Sequence, residues 1–203
     1  MTDTDAVRLT SIDEAARAAL FYDARTANSF SDEPVTDEQI AEIWELAKWA
    51  PTSANIQPLR MTVVRTPEGK DRLLPHLFDS NRPKSAAAPA VAILAADLQF
   101  HELIPRLFPP RPEAKALFEE EGFRHQSARF NATLQAGYFI LAIRAVGLAA
   151  GPMLGFDPAG VDAEFFGGTN YSSILVVNIG HPGANPWFGR LPRLDHDEVI
   201  TWA

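Results

Sequence analysis

An α+β sandwich, with helices laid on a small mixed sheet, is the fold class this sequence predicts. Three observations predict it. Short apolar runs at 60–65, 89–96 and 174–179 are bounded by proline or charge; helical patterns with start signals stand before and between them; and one long helical pattern, at 127–146, precedes the last run. The chain has 203 residues, 46% hydrophobic and 22% charged. That is the size of one globular domain with a substantial core, read as spanning 1–203.

Ser11-Ile12-Asp13-Glu14 has the form of a capping box, and Ala15 to Tyr22 carries a first helix onward. A second box, Thr36-Asp37-Glu38-Gln39, precedes Ile40, Ile43, Trp44 and Ala47, whose spacing lays one apolar stripe along a helix that ends before Pro51. The three apolar runs read as strands, the first two covered on both faces. In the long helical pattern Phe130, Leu134, Tyr138, Leu141 and Ala145 recur at intervals of three and four, and Gly147 is its stop. Phe139, Ile140 and Ile143 lie off that stripe, which predicts burial nearly all round and a second covering layer, such as a partner subunit. Pro105 to Pro112 reads as an exposed excursion.

Composition excludes several functions. With 26 acidic against 18 basic residues and a formal charge of −8, the chain has no basic run to replace counterions on a nucleic acid. Without cysteine there is no disulfide, thiolate metal site or cysteine nucleophile, so redox chemistry must come from a bound cofactor. Met1 to Ala6 lacks a secretory pattern and no window approaches eighteen apolar residues, so the expectation is a cytoplasmic protein with no membrane segment. Neither G-x-G-x-x-G nor G-x-x-x-x-G-K-[ST] occurs. His101-Glu102 opens like a zinc motif, but Pro105 stands where the second histidine belongs; no metal site is expected. Asn131-Ala132-Thr133 and Asn170-Tyr171-Ser172 read as chance glycosylation matches.

The polar loop Pro51-Thr52-Ser53-Ala54-Asn55-Ile56-Gln57-Pro58 follows the second helix and concentrates hydroxyls and amides between two prolines. Alone it is an ordinary turn. Its company is Arg25-Thr26-Ala27-Asn28-Ser29-Phe30 after the first helix, Asn81-Arg82-Pro83-Lys84 before the second strand, Gly151-Pro152-Met153-Leu154-Gly155-Phe156 after the long helix, and Arg190-Leu191-Pro192 near the end. These five ordered segments resemble those of the nitroreductase family over essentially the whole chain. Within it the closest resemblance is to the malonic semialdehyde reductase subgroup associated with pyrimidine catabolism. Ala24-Arg25-Thr26, the glycine-free polar loop, the excursion from Leu107 to Lys115, Gly151-Pro152-Met153 and Arg190 to Leu194 carry that similarity.

The resemblance implies an α/β/α sandwich with a mainly antiparallel sheet, and a homodimer whose interface is the long helix. It implies FMN as cofactor and NADH or NADPH as donor, hydride passing to flavin N5 and then to a small aldehyde or nitro substrate. Cofactor contacts would come from Arg25, Thr26, Asn28, Pro51, Thr52, Ser53, Asn55, Gln57, Asn81, Lys84, Pro152, Met153, Leu154, Gly155, Arg190 and Arg193. Arg25 and Arg190 suit the phosphate, with Arg193 in reserve, because a guanidinium fork matches its oxygens. Lys84, beside Asn81, suits the pyrimidine end; the alternative is a solvated Lys84–Arg82 surface pair. A Leu154 or Gly155 amide could donate to N5 from a glycine-containing turn at 151–155, which is equally a tight exit from the long helix. Ser53, Asn55 and Gln57 would reach the flavin of the opposite subunit, and no residue need act as acid or base. Asn28 and Phe188 depart from the family, standing where many relatives place a cation. If the acceptor is malonic semialdehyde, reduced to 3-hydroxypropionate, a cation must hold its carboxylate. Arg106, Arg111, Arg124 and Arg129 are candidates; the alternative is pairing with Glu119, Glu120 and Glu121. A general nitro or quinone reductase, or a non-catalytic flavin-binding protein, are the competing functions.

Overall fold

The computed structural model describes residues 10–203, so the reading of Met1–Ala6 lies outside the described residues. The first helix starts later than the Ser11 box predicts. Asp13 is its cap, accepting from the Ala16 amide at 2.8 Å, because its charged carboxylate suits the positive end of the helix better than a hydroxyl two residues earlier. Helix α1 (Glu14–Arg17) then widens into a π turn, Ala18–Tyr22. The second box forms as predicted: the Gln39 amide donates to Thr36 Oγ1 at 3.2 Å and the Thr36 amide to Gln39 Oε1 at 2.9 Å, opening α2 (Asp37–Ala47).

Four strands, β1 (Leu59–Val64), β2 (Ala90–Asp97), β3 (Ala149–Met153) and β4 (Tyr171–Gly180), form one sheet in the order β1-β2-β4-β3. All three pairings are antiparallel, so the sheet is not mixed. Strand β2 explains its own composition. Ala90, Ala92, Leu94 and Ala96 enter one core, and Val91, Ile93 and Ala95 enter the other.

The connecting chain between β1 and β2 folds as α3 (Pro67–Leu73) and α4 (Arg82–Ala87). The excursion is not wholly irregular: α5 (Ile104–Leu107) and a 3₁₀ stretch, Pro112–Phe118, flank the Pro109-Pro110 turn. Phe118 anchors it in the core, edge-on to Phe100 with ring centres 5.0 Å apart. The long helix α6 (Glu121–Ala145) begins six residues before Ser127, because the Glu120 carboxylate accepts from the Gly122 and Phe123 amides. It is followed by α7 (Pro158–Phe165) and, near the end, α8 (His196–Val199). Helices α2 and α6 cover one face of the sheet; Leu73, Leu77, Val161 and Phe166 cover the other with Ala27 and Phe30. The result is the three-layer α/β/α sandwich expected.

One expectation is left open and one corrected. A single chain does not cover helix α6 all round: Phe130, Leu134 and Tyr138 are 64%, 43% and 43% exposed and would need the second layer, whereas Ala128, Asn131, Ala132, Gln135, Ala136 and Phe139 face the core. The small alanines let the helix lie close to the sheet, so the larger stripe is left outside. Segment 151–153 is not a turn but the end of strand β3. Pro152 is tolerated there because β3 is an edge strand.

Candidate functional site

The segment after α1 runs along the outer side of β3. The Ala27 amide donates to the Ala150 carbonyl at 3.0 Å, the Asn28 amide to Pro186 O at 3.0 Å, and Ser29 Oγ to Ala184 O at 2.7 Å. Gly151 makes this approach possible: a Cβ there would stand 2.9 Å from the Ala27 carbonyl oxygen and 3.3 Å from the Phe30 ring. Its lack of a side chain thus serves the protein's own backbone, not a flat ring, as the turn reading had it. Arg25 and Thr26 are left exposed, while the Asn28 side-chain amide turns back to Thr26 O at 3.2 Å.

Residues 188–193 return past this segment. Arg190 donates to the Tyr22 and Ala24 carbonyls, and Arg193 to those of Leu191 and Pro192. Arg25, Thr26, Asn28, Phe188, Arg190 and Arg193 line one cavity of ≈ 190 Å³ with no acidic side chain in its wall.

Past the end of β3, Asn81 donates to the Gly155 carbonyl at 2.9 Å, and the Phe78 amide reaches the same oxygen at 2.9 Å. Ser85, one turn on, lies against Met153 Sδ at 3.7 Å, so α4 is held to β3 by two side chains. Lys84 is half-buried on that helix. Of the two residues of the solvated-surface alternative, Arg82 is exposed, pairing with Asp79 at 2.9 Å and donating to the Leu77 and Pro75 carbonyls. Pro152 is half-buried, Leu154 is 73% exposed, and the Gly155 N–H meets no acceptor among the described residues.

The polar loop stands elsewhere. Ala54, Asn55 and Gln57 all have positive φ, 48°, 52° and 41°. Left-handed backbone at a residue other than glycine costs on the order of 1–3 kcal/mol and persists only where its surroundings hold it. Here the Gln57 amide donates to Thr52 Oγ1 at 3.2 Å, Asn55 Nδ2 to Leu107 O at 2.7 Å, the Ser53 amide to Asn131 Oδ1 at 2.8 Å and the Leu59 amide to Gln135 Oε1 at 2.9 Å. Pro51, Ser53 and Asn55 are exposed, and Thr52 and Gln57 half-buried. The loop feeds β1, one edge of the sheet, whereas Arg25, Asn81, Leu154 and Arg190 gather around β3, the other. Three strand spacings of about 4.8 Å lie between the edges. One chain does not bring the two groups together.

Beside β1 opens a cleft of ≈ 840 Å³, with Trp44, Gln57, Arg60, Asp97, Arg106 and Tyr171 in its wall. Arg60 donates to Asp97 at 2.8 Å and lies 5.9 Å from the Tyr171 ring centre. This pair was missed; the one charge ending an all-apolar strand was its signal. Of the four candidate arginines, Arg124 is buried and bonded to the Leu98, Phe118 and Glu119 carbonyls, Arg129 donates to Ser172 Oγ at 2.6 Å, and Arg111 sits 3.6 Å from Glu113. Arg106 alone of the four lines the cleft. Nearby His101 is buried, and burial together with the Arg124 charge lowers its pKa.

Residues 23–181 match the Nitroreductase family. A Streptomyces coelicolor protein provisionally named an NADH dehydrogenase/NAD(P)H nitroreductase is 61% identical over 93% of this chain and 94% of its own. One from Stenotrophomonas maltophilia with the same description is 48% identical over 95% and 98%. A solved nitroreductase from Exiguobacterium sibiricum, in complex with FMN, shares the fold with a TM-score of 0.83 at 19% identity, covering 96% of this chain and 99% of that one. The chain, with its antiparallel sheet between two helical layers and its guanidinium-lined cavity at one edge, belongs to the nitroreductase family of oxidoreductases.

Proposed function

We propose that this protein is an FMN-dependent NAD(P)H oxidoreductase acting as a homodimer, with malonic semialdehyde as its acceptor. The observation that carries the flavin reading is the cavity lined by Arg25, Arg190 and Arg193 with no acidic side chain in its wall. Three cations with no counter-charge fit a phosphate. Arg190 and Arg193 already spend N–H groups on nearby carbonyls, which fixes their forks in place. Thr26 and Asn28 add short polar groups beside them.

Bound FMN supplies a ring that accepts hydride from NADH or NADPH and delivers it to the acceptor. The chain supplies its setting. Lys84, with Asn81, offers a cation to the pyrimidine end, and the Gly155 N–H is a donor without an acceptor at the end of β3. Half-buried Pro152 and exposed Leu154 offer an apolar floor beside it, with Met153 buried beneath them in the core.

Ser53, Asn55 and Gln57, on the opposite edge, serve the flavin of a second copy, with Pro51 and Thr52 framing them. The exposed stripe Phe130, Leu134, Tyr138 supports that pairing, since apolar side chains of this size are normally covered. Arg106 in the cleft beside Gln57 supports a carboxylated acceptor. A nitro or quinone reductase would not need that cation.

The test is the purified protein under anaerobic stopped flow. A yellow protein holding FMN, bleached on mixing with NADPH or NADH and reoxidised by malonic semialdehyde, is expected. A colourless protein that FMN does not reconstitute overturns the flavin reading; bound flavin that no nicotinamide reduces makes it a binding protein instead.

A further inference from the structure

We infer that Asn131 and Gln135, the two buried amides of α6, are positioning residues that set the polar loop 53–59 for the flavin; this rests on the flavin reading above. Both side chains are withdrawn from water, Asn131 at 2% exposure and Gln135 at 0%. Each spends its carbonyl oxygen on one loop amide, Ser53 N–H at 2.8 Å and Leu59 N–H at 2.9 Å. The two bonds bracket the stretch in which Ala54, Asn55 and Gln57 take left-handed backbone. Such a loop does not hold that shape by itself.

The amide groups show what the pair is for. Asn131 Nδ2 is used locally, on Ser127 O at 2.9 Å, while Gln135 Nε2 is buried with no partner. The Gln135 carbonyl oxygen is therefore the atom through which this buried side chain acts on the loop. With its backbone amide taken by Asn131, Ser53 keeps an exposed side chain, while the Asn55 side chain is held between Leu107 O and Gln57 Nε2.

The placement on the helix adds a consequence. Asn131 and Gln135 each follow by one residue Phe130 and Leu134 of the exposed stripe. The face proposed to meet a second copy and the face that grips the loop are therefore two sides of the same rigid turns. Docking of the second copy sets the height at which Ser53 and Asn55 stand over its flavin.

The test compares full-length wild type, Gln135→Met, which keeps size and loses the acceptor, and Gln135→Glu, which keeps an acceptor oxygen. Amide hydrogen exchange is followed by mass spectrometry over 53–59 and over β2, and FMN affinity by fluorescence quenching. The methionine variant is expected to exchange faster over 53–59 with β2 unchanged, and to bind FMN about 3- to 10-fold more weakly, the range one lost hydrogen bond predicts. The glutamate variant restores both. If exchange over 53–59 does not change, or it changes and FMN affinity does not, the positioning role falls and the flavin reading stands. Wild type that fails to bind FMN removes both. Should Gln135→Met loosen β2 as well, Asn131→Ala, which leaves Leu59 held, takes its place; if it too loosens β2, the amides belong to the core and the inference is overturned.

Discussion

Asn81 and Gly155 occupy one another's space: the Asn81 amide nitrogen donates to the Gly155 carbonyl at 2.9 Å, and a Cβ at position 155 would stand 2.5 Å from that same nitrogen. Gly155→Ala must therefore push Asn81 aside. The expected outcome is weaker FMN binding with a stability loss of about 1 kcal/mol, the worth of one buried hydrogen bond. Titration with FMN and urea unfolding of the same sample check it; a variant binding FMN as wild type does would remove Asn81 and Gly155 from the site.

Arg25 is exposed in the arginine cavity and, unlike Arg190, is not bonded to the Tyr22 and Ala24 carbonyls. Arg25→Ala is expected to weaken FMN by roughly 10- to 100-fold, as for a lost charge-assisted hydrogen bond of about 1.5–3 kcal/mol. Riboflavin, which has no phosphate, should bind wild type and variant alike. Equal losses for both ligands would place the phosphate elsewhere.

The stripe on α6 predicts the assembly. Leu134→Asp puts a charge amid Phe130 and Tyr138, both exposed, where it costs the single chain little but a buried interface a great deal. Sedimentation should show a dimer for wild type and a monomer for the variant, with FMN affinity falling alongside because the two sheet edges can no longer share a flavin. A dimeric variant would move the interface off this helix.

For Arg106 the expectation is a division between half-reactions. Arg106→Ala should raise the KM for malonic semialdehyde by about tenfold while flavin reduction by the nicotinamide keeps its rate, since only the acceptor carries the carboxylate. Arg111→Ala, beside Glu113, is the control and should change neither. No preference for the charged aldehyde over a neutral one of equal size would withdraw the semialdehyde assignment.

His101 predicts a pH dependence of stability. Burial, and then the Arg124 charge, hold its folded pKa below the ordinary 6.5, although Glu102 at 3.6 Å and a backbone bond oppose them and Lys115 adds to them. On acidification the unfolded chain takes up this proton first, so stability falls as pH drops below about 6.5 and levels off below the folded value. His101→Gln has no such titration. The stability difference between the two proteins should be flat above pH 7 and shift against wild type below it, as urea unfolding across pH would read.

Much was legible from local chemistry. Thr36 and Gln39 cap α2 through bonds three residues apart, and β2 announces its burial on both faces because a strand alternates sides and every position before Asp97 is apolar. The five segments proposed for the flavin could be singled out as well, because each has a short polar pattern and they follow in order along the chain. Strand β3 was not: five residues containing Gly151 and Pro152 carry no strand signal, and only pairing with β4 and the close approach of Ala27 make it one.

What only the tertiary structure decided is which residues meet. Periodicity found the stripe Phe130, Leu134, Tyr138, but periodicity measures the angle between faces and not which face the sheet takes; the small side chains of Ala128, Ala132 and Ala136 won the inner side by packing closer. The strand order β1-β2-β4-β3 set the polar loop and the arginines at opposite edges, a separation that spacing along the chain does not encode. Asn131 and Gln135 were indistinguishable from surface amides until the sheet came down on them. Burial turns an ordinary acceptor into one that must be used, and burial is a property of the packed chain.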